Sequence, residues 1–287
     1  MYWNRRKNMR KKTCILAIGI ILLLEGIFLP CVLLNKFPAN AINGITAETQ
    51  KAASANVIAA DNYDSIKDNQ PAAGTRNPTP QNKAAGNKKI RKQAKKIYRK
   101  NKQILVLVNA DHALEESYQA NLRPICNGRL NASDYLYPSL VKMLADASES
   151  GFTYWIASAW RSREKQQKLI DEDVRIAMQK GLSYDDALSD TYKETMPAGH
   201  SEHETGLALD ILCSGNMNMD TSQAEEAGNI WLRENCFLYG FILRYPEEQE
   251  TITGVHYEPW HLRYVGTEAA KFLHRHNLTL EEFWQLL

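Results

Sequence analysis

The chain has 287 residues, of which 44% are hydrophobic and 24% are charged, a composition typical of a globular protein with one sizeable domain and additional segments. The formal net charge of +2 hides an asymmetry, because residues 1–103 carry 20 basic and 5 acidic side chains whereas residues 104–287 carry 15 and 28. The overall charge therefore indicates no class of partner. No CxxC pair occurs among the five cysteines, which excludes a structural zinc ribbon.

The N-terminal segment has the pattern of a membrane anchor. Six basic residues within residues 1–12 precede an apolar run over residues 14–34, which has about the length that a bilayer requires. The basic flank predicts that the N-terminus stays in the cytoplasm and that the remainder is exported. We expect residues 13–35 to be an uncleaved signal-anchor, because the run is longer than the core of a signal peptide. Cleavage after Ala41 is the alternative.

Two segments separate this predicted anchor from the folded domain. Residues 36–87 are rich in Ala, Asn, Gln, Thr, Pro and Lys, have little apolar surface to bury, and are predicted to be a disordered linker. Residues 88–103 form a basic run with Ile90, Ala94 and Ile97 at helical spacing. This predicted helix either contacts anionic membrane or wall polymers or is a solvated lead-in to the domain, and the second interpretation is favoured.

The predicted folded domain spans residues 104–287. Strands are predicted at residues 104–108 and 153–157, and helices at residues 135–147, 163–180, 225–234, 267–276 and 279–287. Strands and helices mix without a regular βαβ alternation, which indicates an α+β fold. Three cysteines lie in this part of the chain and allow at most one disulfide, for example between Cys213 and Cys236. Buried reduced thiols at Cys126, Cys213 and Cys236 are the alternative.

The segment from Ser201 to Asp210 contains candidate metal ligands. If residues 206–211 form a strand, its alternate apolar side chains face the core and Asp210 points the opposite way, into a cleft. A carboxylate on such an apolar strand needs a partner. His203 precedes the strand and can turn back towards the same place, and Gly206 leaves room for it.

A second segment about fifty residues later supplies the complementary groups. Glu258 and His261 are three residues apart, so a bend at Pro259 is needed to bring both side chains to one site. Two imidazoles and one carboxylate can hold zinc with a position left for water, and a neighbouring glutamate can act as general base. Glu258 suits this role better than Glu202 and Glu204, which are expected to point to solvent. The absence of HExxH excludes a thermolysin-like helix site.

These residues carry a resemblance to a known family. The paired motifs resemble those of the VanY-type zinc D-alanyl-D-alanine carboxypeptidases, whose relatives include LD-carboxypeptidases, VanX dipeptidases and the Hedgehog-like fold. The resemblance covers roughly residues 104–275 and implies a small antiparallel sheet flanked by helices. Its motifs are Ser201-x-His203-x-x-Gly206-x-Ala208-x-Asp210 and Glu258-x-x-His261.

The resemblance also implies roles for individual residues. One zinc ion would be bound by His203, Asp210 and His261, and Glu258 would be the catalytic base. The family's Tyr-Arg-Ser-x-x-x-Gln stretch corresponds to residues 160–166, where tryptophan replaces the tyrosine. The substrate would be contacted by Arg161, Ser162, Gln166 and Ser201. A guanidinium is suited to this position because it can form paired hydrogen bonds to a carboxylate.

The expected function is that of a D,D-carboxypeptidase that removes the C-terminal D-Ala from peptidoglycan stem peptides. The expected location is the cell membrane, with the catalytic domain on the extracellular side and no nucleic-acid partner. The enzymatic alternative is an L,D-carboxypeptidase that acts on tetrapeptide stems. A non-catalytic wall-binding module is less favoured, because Glu258 is intact.

Overall fold

The computed structural model describes residues 80–287, so the predicted cytoplasmic segment, the predicted signal-anchor and residues 36–79 of the predicted linker lie outside the described residues. Within the described range, no helix is both long and apolar enough to cross a membrane.

The described chain mixes helices with short strands. The helices are α1 (Pro80–Lys100), α2 (Tyr137–Glu149), α3 (Arg163–Gln179), α4 (Tyr184–Thr191), α5 (Ala227–Asn235), α6 (Glu250–Thr253), α7 (Thr267–His276) and α8 (Leu280–Gln285). The strands are β1 (Leu122–Ile125), β2 (Leu130–Ser133), β3 (Tyr154–Ser158), β4 (Ala208–Cys213), β5 (Phe241–Leu243) and β6 (His261–Tyr264). This confirms the prediction of a mixed fold with small antiparallel sheets and helices.

The strands form two antiparallel sheets. Strands β1 and β2 pair as a hairpin, while the larger sheet has the order β3-β4-β6-β5. Strand β4 lies inside the larger sheet and is buried along its whole length. Its register with β6 places Asp210 opposite His261, and its register with β3 places Asp210 opposite Ser158. The sheet thus brings together residues that are far apart in the sequence.

Two larger clusters of buried apolar side chains hold the main sheet and most helices together, and a smaller third one joins α3 to α4. The first packs Leu209, Ile211 and Leu262 of the central strands against helices α2 and α5. The second joins α1, the segment after it, α7 and α8. Leu209 and Ile211 face the first cluster, as the alternation of the strand predicted, and Asp210 between them points to the opposite face.

Helix α1 begins earlier than the sequence pattern predicted. Residues 80–87, which were assigned to the disordered linker, are helical in the structure. Pro80 suits the first position of a helix, because its fixed φ is already helical and its missing N–H would have no partner there. The apolar side of the helix contributes Ala94 and Ile97, both 0% exposed, to the second core cluster. The apolar side of the basic helix is therefore packed into the fold, while its basic side is exposed.

The predicted strand at residues 104–108 is wrong, although its apolar side chains are mostly buried. Residue 104 ends a turn, residues 105–108 have no regular secondary structure, and the segment pairs with no strand among the described residues. Its carbonyl oxygens accept from side chains instead: Arg263 Nη2 donates to Ile104 at 3.1 Å and to Val106 at 2.8 Å, and Trp284 Nε1 donates to Leu105 at 2.9 Å. Side-chain donors can satisfy buried carbonyls as a neighbouring strand would, and an apolar run does not distinguish the two.

The cysteines of the domain do not form the disulfide considered from the sequence. Cys213 ends strand β4, and Cys236 begins a short 3₁₀ turn after α5. Both are buried thiols and are not bonded to each other. Burial raises the pKa of Cys213 to about 11 and that of Cys236 to about 12, so both remain protonated and unreactive.

Packing of α1 into the core gives a prediction about stability. Replacing Ile97 with alanine should lower the free energy of unfolding by about 2–5 kcal/mol, because a fully buried side chain is truncated and leaves a cavity. The measurement is denaturant unfolding of the purified chain. Gln93→Ala is the matched control, since Gln93 is exposed on the same helix and its loss should cost about 0.5 kcal/mol or less. Equal stability of the two variants would contradict the packing of α1.

Candidate metal centre and active site

The centre of the site is the antiparallel pair of strands β4 and β6. Asp210 and His261 are directly opposite each other, so both side chains leave the sheet on the same face. His261 Nδ1 lies 3.3 Å from Asp210 Oδ1. Both side chains are about 6% exposed. Two candidate ligands are thus set by backbone pairing in the interior of the fold.

His203 reaches the same place from a 3₁₀ turn, Glu202–Thr205, that leads into β4. The turn ends at Gly206, whose φ of 73° is left-handed and whose Cβ, if present, would lie 3.1 Å from the backbone N of Ser133. Only glycine combines this φ with such a close approach. His203 Nδ1 donates to the Ala159 carbonyl at 2.7 Å, which leaves Nε2 as the coordinating atom, 3.2 Å from Asp210 Oδ2.

The three side chains fit a divalent cation. One ligand atom from each of His203, Asp210 and His261 can be chosen so that all lie within 4.8 Å of one another. Asp210 Oδ1 is buried and accepts no hydrogen bond. Two imidazoles and a carboxylate are the donor set of catalytic zinc sites that keep one position for water. The structure therefore assembles the three predicted ligands.

The charge around His261 also favours a cation. Burial lowers the pKa of His261, but the surrounding carboxylates outweigh this effect and raise it well above its ordinary value. Two of them, Asp210 and Glu258, lie within 3.3 Å of Nδ1. A negative potential that attracts an extra proton also attracts a metal ion, which is bound by the neutral imidazole.

Glu258 stands beside the ligands because the chain bends as the motif required. Pro259 and Trp260 form a turn in which the N–H of His261 donates to the Glu258 carbonyl at 3.2 Å. Glu258 Oε2 then lies 3.2 Å from His261 Nδ1, and 16% of the Glu258 side chain is exposed, against 6% for that of Asp210. Burial raises the pKa of Glu258 above its ordinary value, which suits a group that accepts a proton near neutral pH.

Glu202 lies beside a candidate ligand, where the sequence interpretation did not place it. It was expected to point to solvent, but its side chain is 0% exposed and its Oε2 lies 3.6 Å from Nε2 of His261, on the side away from Asp210. Neither of these two atoms forms a hydrogen bond of standard geometry. A carboxylate at this position favours the tautomer with the proton on Nε2 and so leaves Nδ1 available for a metal.

Two buried arginines keep Glu202 ionised. Arg244 Nε donates to Glu202 Oε1 at 2.8 Å, and Arg263 Nη1 donates to the same oxygen at 2.6 Å. Burial would raise the pKa of Glu202, but the two guanidinium groups outweigh it and hold that pKa below its ordinary value. Arg244 is held in turn by Glu281 on α8. Glu204 was also expected in solvent but is buried, where it accepts from the N–H of Gly199.

Arg161 follows β3 and lies close to the ligands. Its N–H donates to the carbonyl of His203, and its guanidinium donates to Gln166 Oε1 at 2.8 Å and to Ser158 Oγ at 3.1 Å. Burial lowers the pKa of Arg161, and the charges of Asp210 and Glu258 oppose that shift. The guanidinium is thus held beside the candidate metal centre.

The remaining predicted substrate residues have structural partners. Gln166 is buried and connects Arg161 to the carbonyl of Met196, to which it donates at 2.6 Å. Ser162 is the N-cap of α3 and accepts from the N–H of Lys165. Ser201 is buried immediately before the 3₁₀ turn that carries His203. Direct contact of these residues with a substrate stays a prediction.

Comparison with known proteins agrees with this geometry. The family described as VanY, D-alanyl-D-alanine carboxypeptidase, matches residues 130–267. A D-alanyl-D-alanine carboxypeptidase of Enterococcus faecalis is 39% identical over 188 residues, which are 62% of this chain. This chain covers 65% of that relative, slightly less than two thirds of its length.

Solved structures of similar proteins extend the match to the fold. A vancomycin-resistance D,D-pentapeptidase VanY in complex with Zn(II) is 35% identical with a TM-score of 0.57, covering 63% of this chain and 99% of that one. The LD-carboxypeptidase LdcB is 31% identical with a TM-score of 0.56, covering 64% of this chain and 86% of that one. The family match, these identities and the assembled ligand group lead to one conclusion: the chain belongs to the VanY-type family of zinc D-alanyl-D-alanine carboxypeptidases.

Proposed function

We propose that this protein is a zinc-dependent D,D-carboxypeptidase that hydrolyses the C-terminal D-Ala-D-Ala bond of peptidoglycan stem peptides. The observation that carries the proposal is the position of Glu258, whose Oε2 lies 3.2 Å from a candidate ligand atom of His261. A carboxylate that is not itself required as a ligand is the group that hydrolysis needs beside an activated water.

The residues of the site divide the reaction between them. When bound, zinc supplies a Lewis acid that lowers the pKa of a water molecule to about 7. Glu258 accepts the proton of the attacking water and returns it to the nitrogen of the departing D-alanine. His203 Nε2 and His261 Nδ1 would be left for the metal, because the Ala159 carbonyl accepts from His203 Nδ1 and the Glu202 carboxylate lies 3.6 Å from His261 Nε2.

Arg161 is proposed to select the end of the peptide. Its guanidinium is held by Ser158 and Gln166, so it loses little conformational freedom when it binds an anion. A planar guanidinium can pair with both oxygens of a carboxylate or polarise a carbonyl. The first of these contacts favours cleavage next to a free C-terminus, because an internal peptide bond offers no carboxylate.

The alternative activity is that of an L,D-carboxypeptidase acting on tetrapeptide stems. The similarity to LdcB favours it, since that structure is an LD-carboxypeptidase of nearly the same identity and TM-score. The same ligands and the same base would serve both reactions. We favour the D,D activity because the most similar relatives described above are D-alanyl-D-alanine carboxypeptidases.

The same proposal places the domain outside the membrane. Its support is the basic flank and the apolar run at residues 14–34, together with a substrate that lies in the cell wall.

Substrate choice is the direct test of the proposal. The full-length chain with one equivalent of zinc should release D-Ala from a pentapeptide stem at least about tenfold faster than from a tetrapeptide stem, measured as free D-Ala. Preferential release from the tetrapeptide would establish the L,D alternative. Release from neither peptide by a zinc-loaded, folded protein would contradict an enzymatic function.

The base assignment predicts a loss of rate without a loss of metal. Glu258→Gln removes the proton acceptor but not a ligand, so D-Ala release should fall by about 10²–10⁴-fold while the zinc content stays at one per chain. Glu248→Gln is the matched control, because Glu248 is exposed in the segment that leads towards Glu258. Zinc loss from the Glu258 variant, measured by elemental analysis, would make Glu258 a ligand instead.

The position of Glu202 predicts a loss of metal affinity. Glu202→Gln should weaken zinc binding by about 10–100-fold, measured by competition with a chelator, because the His261 imidazole loses its negatively charged partner. Glu281→Gln is the control, since it also removes a carboxylate from Arg244 but does not face His261. Both variants should be less stable, yet only the first should bind zinc more weakly. If both variants bound zinc equally weakly, Glu202 would affect zinc affinity only through the stability of the fold.

A further inference from the structure

The outward face of helix α1 is strongly basic, and the proposed hydrolysis does not use it. Lys92, Lys95, Lys96 and Arg99 are all exposed and follow the i, i+3, i+4, i+7 spacing of one helix face. They fall within about 100° of the helix circumference and extend over about 10 Å of its length. We call these four residues the basic stripe.

The orientation of α1 is fixed, so the basic stripe cannot turn inward. Ala94 and Ile97 are 0% exposed, and Ile90 and Tyr98 pack beside them on the second core cluster. The ring of Tyr98 meets that of Trp284 edge-on at 5.5 Å between centroids. The opposite side of the helix must therefore face outward.

The charges of the basic stripe are not neutralised by the domain. Among the residues that the structure describes, none of the four stripe side chains forms a hydrogen bond or an ion pair, whereas the flanking Arg91 donates to the Gln285 carbonyl and Lys100 pairs with Glu268. The sequence contains no acidic residue between Asp68 and Asp111. A concentrated positive charge is thus left available to an external anion.

We propose that the basic stripe binds a flexible linear polyanion with closely spaced charges, the chemistry of a phosphodiester polymer. All exposed residues of α1 from Lys88 to Lys100 have charged or amide side chains. This face therefore lacks the apolar side chains that insert into a bilayer. Together with the flanking Arg91 and Lys100, the exposed basic side chains of α1 are spread over about 180° of a convex rod. A flexible polymer can follow that curvature, whereas a flat membrane touches only one edge of it.

The remainder of the domain restricts where such a polymer binds. Residues 104–287 carry 28 acidic against 15 basic side chains, so a polyanion is repelled from most of the surface and attracted to α1. The exposed face of α1 carries no aromatic side chain on which the bases of a nucleic acid could stack. The basic stripe is therefore suited to contact phosphate groups only. The contact is electrostatic and should weaken steeply with salt. It does not depend on hydrolytic activity.

Charge reversal with a matched control tests this proposal. The full-length chain, captured on beads, is titrated with poly(glycerol phosphate) at 0.15 M salt. Reversal of the four stripe residues to Glu should weaken binding by at least about 600-fold, since each basic group near a phosphate surface contributes about fivefold and four such groups are removed. The control reverses four exposed lysines elsewhere, giving the same net charge, and should leave binding nearly unchanged. These control positions are Lys142, Lys165, Lys168 and Lys180.

Two further measurements make the result decisive. Replacement of the four stripe residues by Gln should weaken binding to an intermediate extent and reduce its salt dependence, and both sets of variants should retain wild-type thermal unfolding. The second arm compares binding to vesicles of phosphatidylglycerol in phosphatidylcholine with binding to vesicles of phosphatidylcholine alone, because the predicted anchor at residues 13–35 would insert into both. Equal polymer binding by the stripe and control variants would overturn the proposal. The proposal would also be overturned if the stripe variants lost the preference for anionic vesicles but kept polymer binding. The partner of the basic stripe would then be a membrane surface.

Discussion

The antiparallel register of β4 with β6 is the constraint on which the site depends. It sets Asp210 directly opposite His261, and a slip of one residue would send one of these side chains into the apolar core. That slip is opposed by Leu209 and Ile211, which must face the core cluster while Asp210 faces away. The hydrophobic effect thus aligns the two ligands.

A second layer joins this register to the rest of the fold. Glu202 contacts His261, while Arg244 and Arg263 neutralise it from the core side. Arg263 also satisfies carbonyls of the segment after α1, and Arg244 reaches Glu281 on α8. Buried ion pairs contribute little net stability when compared with apolar packing, but the loss of one partner costs several kcal/mol. The network is therefore better explained as a means of positioning His261 than as a source of stability.

The parts of the site that follow from local pattern were predictable from the sequence. Alternation placed Asp210 on the face away from the core, and the Pro259 bend followed from the three-residue spacing of Glu258 and His261. Glu202 was missed because its surroundings come from residues forty and sixty positions away. A signal existed in Arg244 and Arg263, which stand within or next to apolar strands and require a buried anionic partner.

Errors in the fold prediction have the same origin. Residues 104–108 have the composition of a strand, but such a segment becomes a strand only when another strand pairs with it, and here side chains take its carbonyls. The helix at residues 88–103 was predicted from the spacing of Ile90, Ala94 and Ile97, and the structure shows that Ala94 and Ile97 are buried in the second core cluster. Local pattern identifies an apolar face, but only the tertiary structure decides whether it is covered.

The charges of the site favour a substrate that ends in a carboxylate. The site and the buried network behind it contain four carboxylates, those of Glu202, Asp210, Glu258 and Glu281. They contain three guanidinium groups, those of Arg161, Arg244 and Arg263. A divalent cation changes this excess of one negative charge into an excess of one positive charge. The free C-terminus of a peptide restores neutrality, whereas an internal peptide bond does not. In a site of low dielectric this difference is substantial, so the charge balance favours cleavage at the end of the chain, as does the role proposed for Arg161.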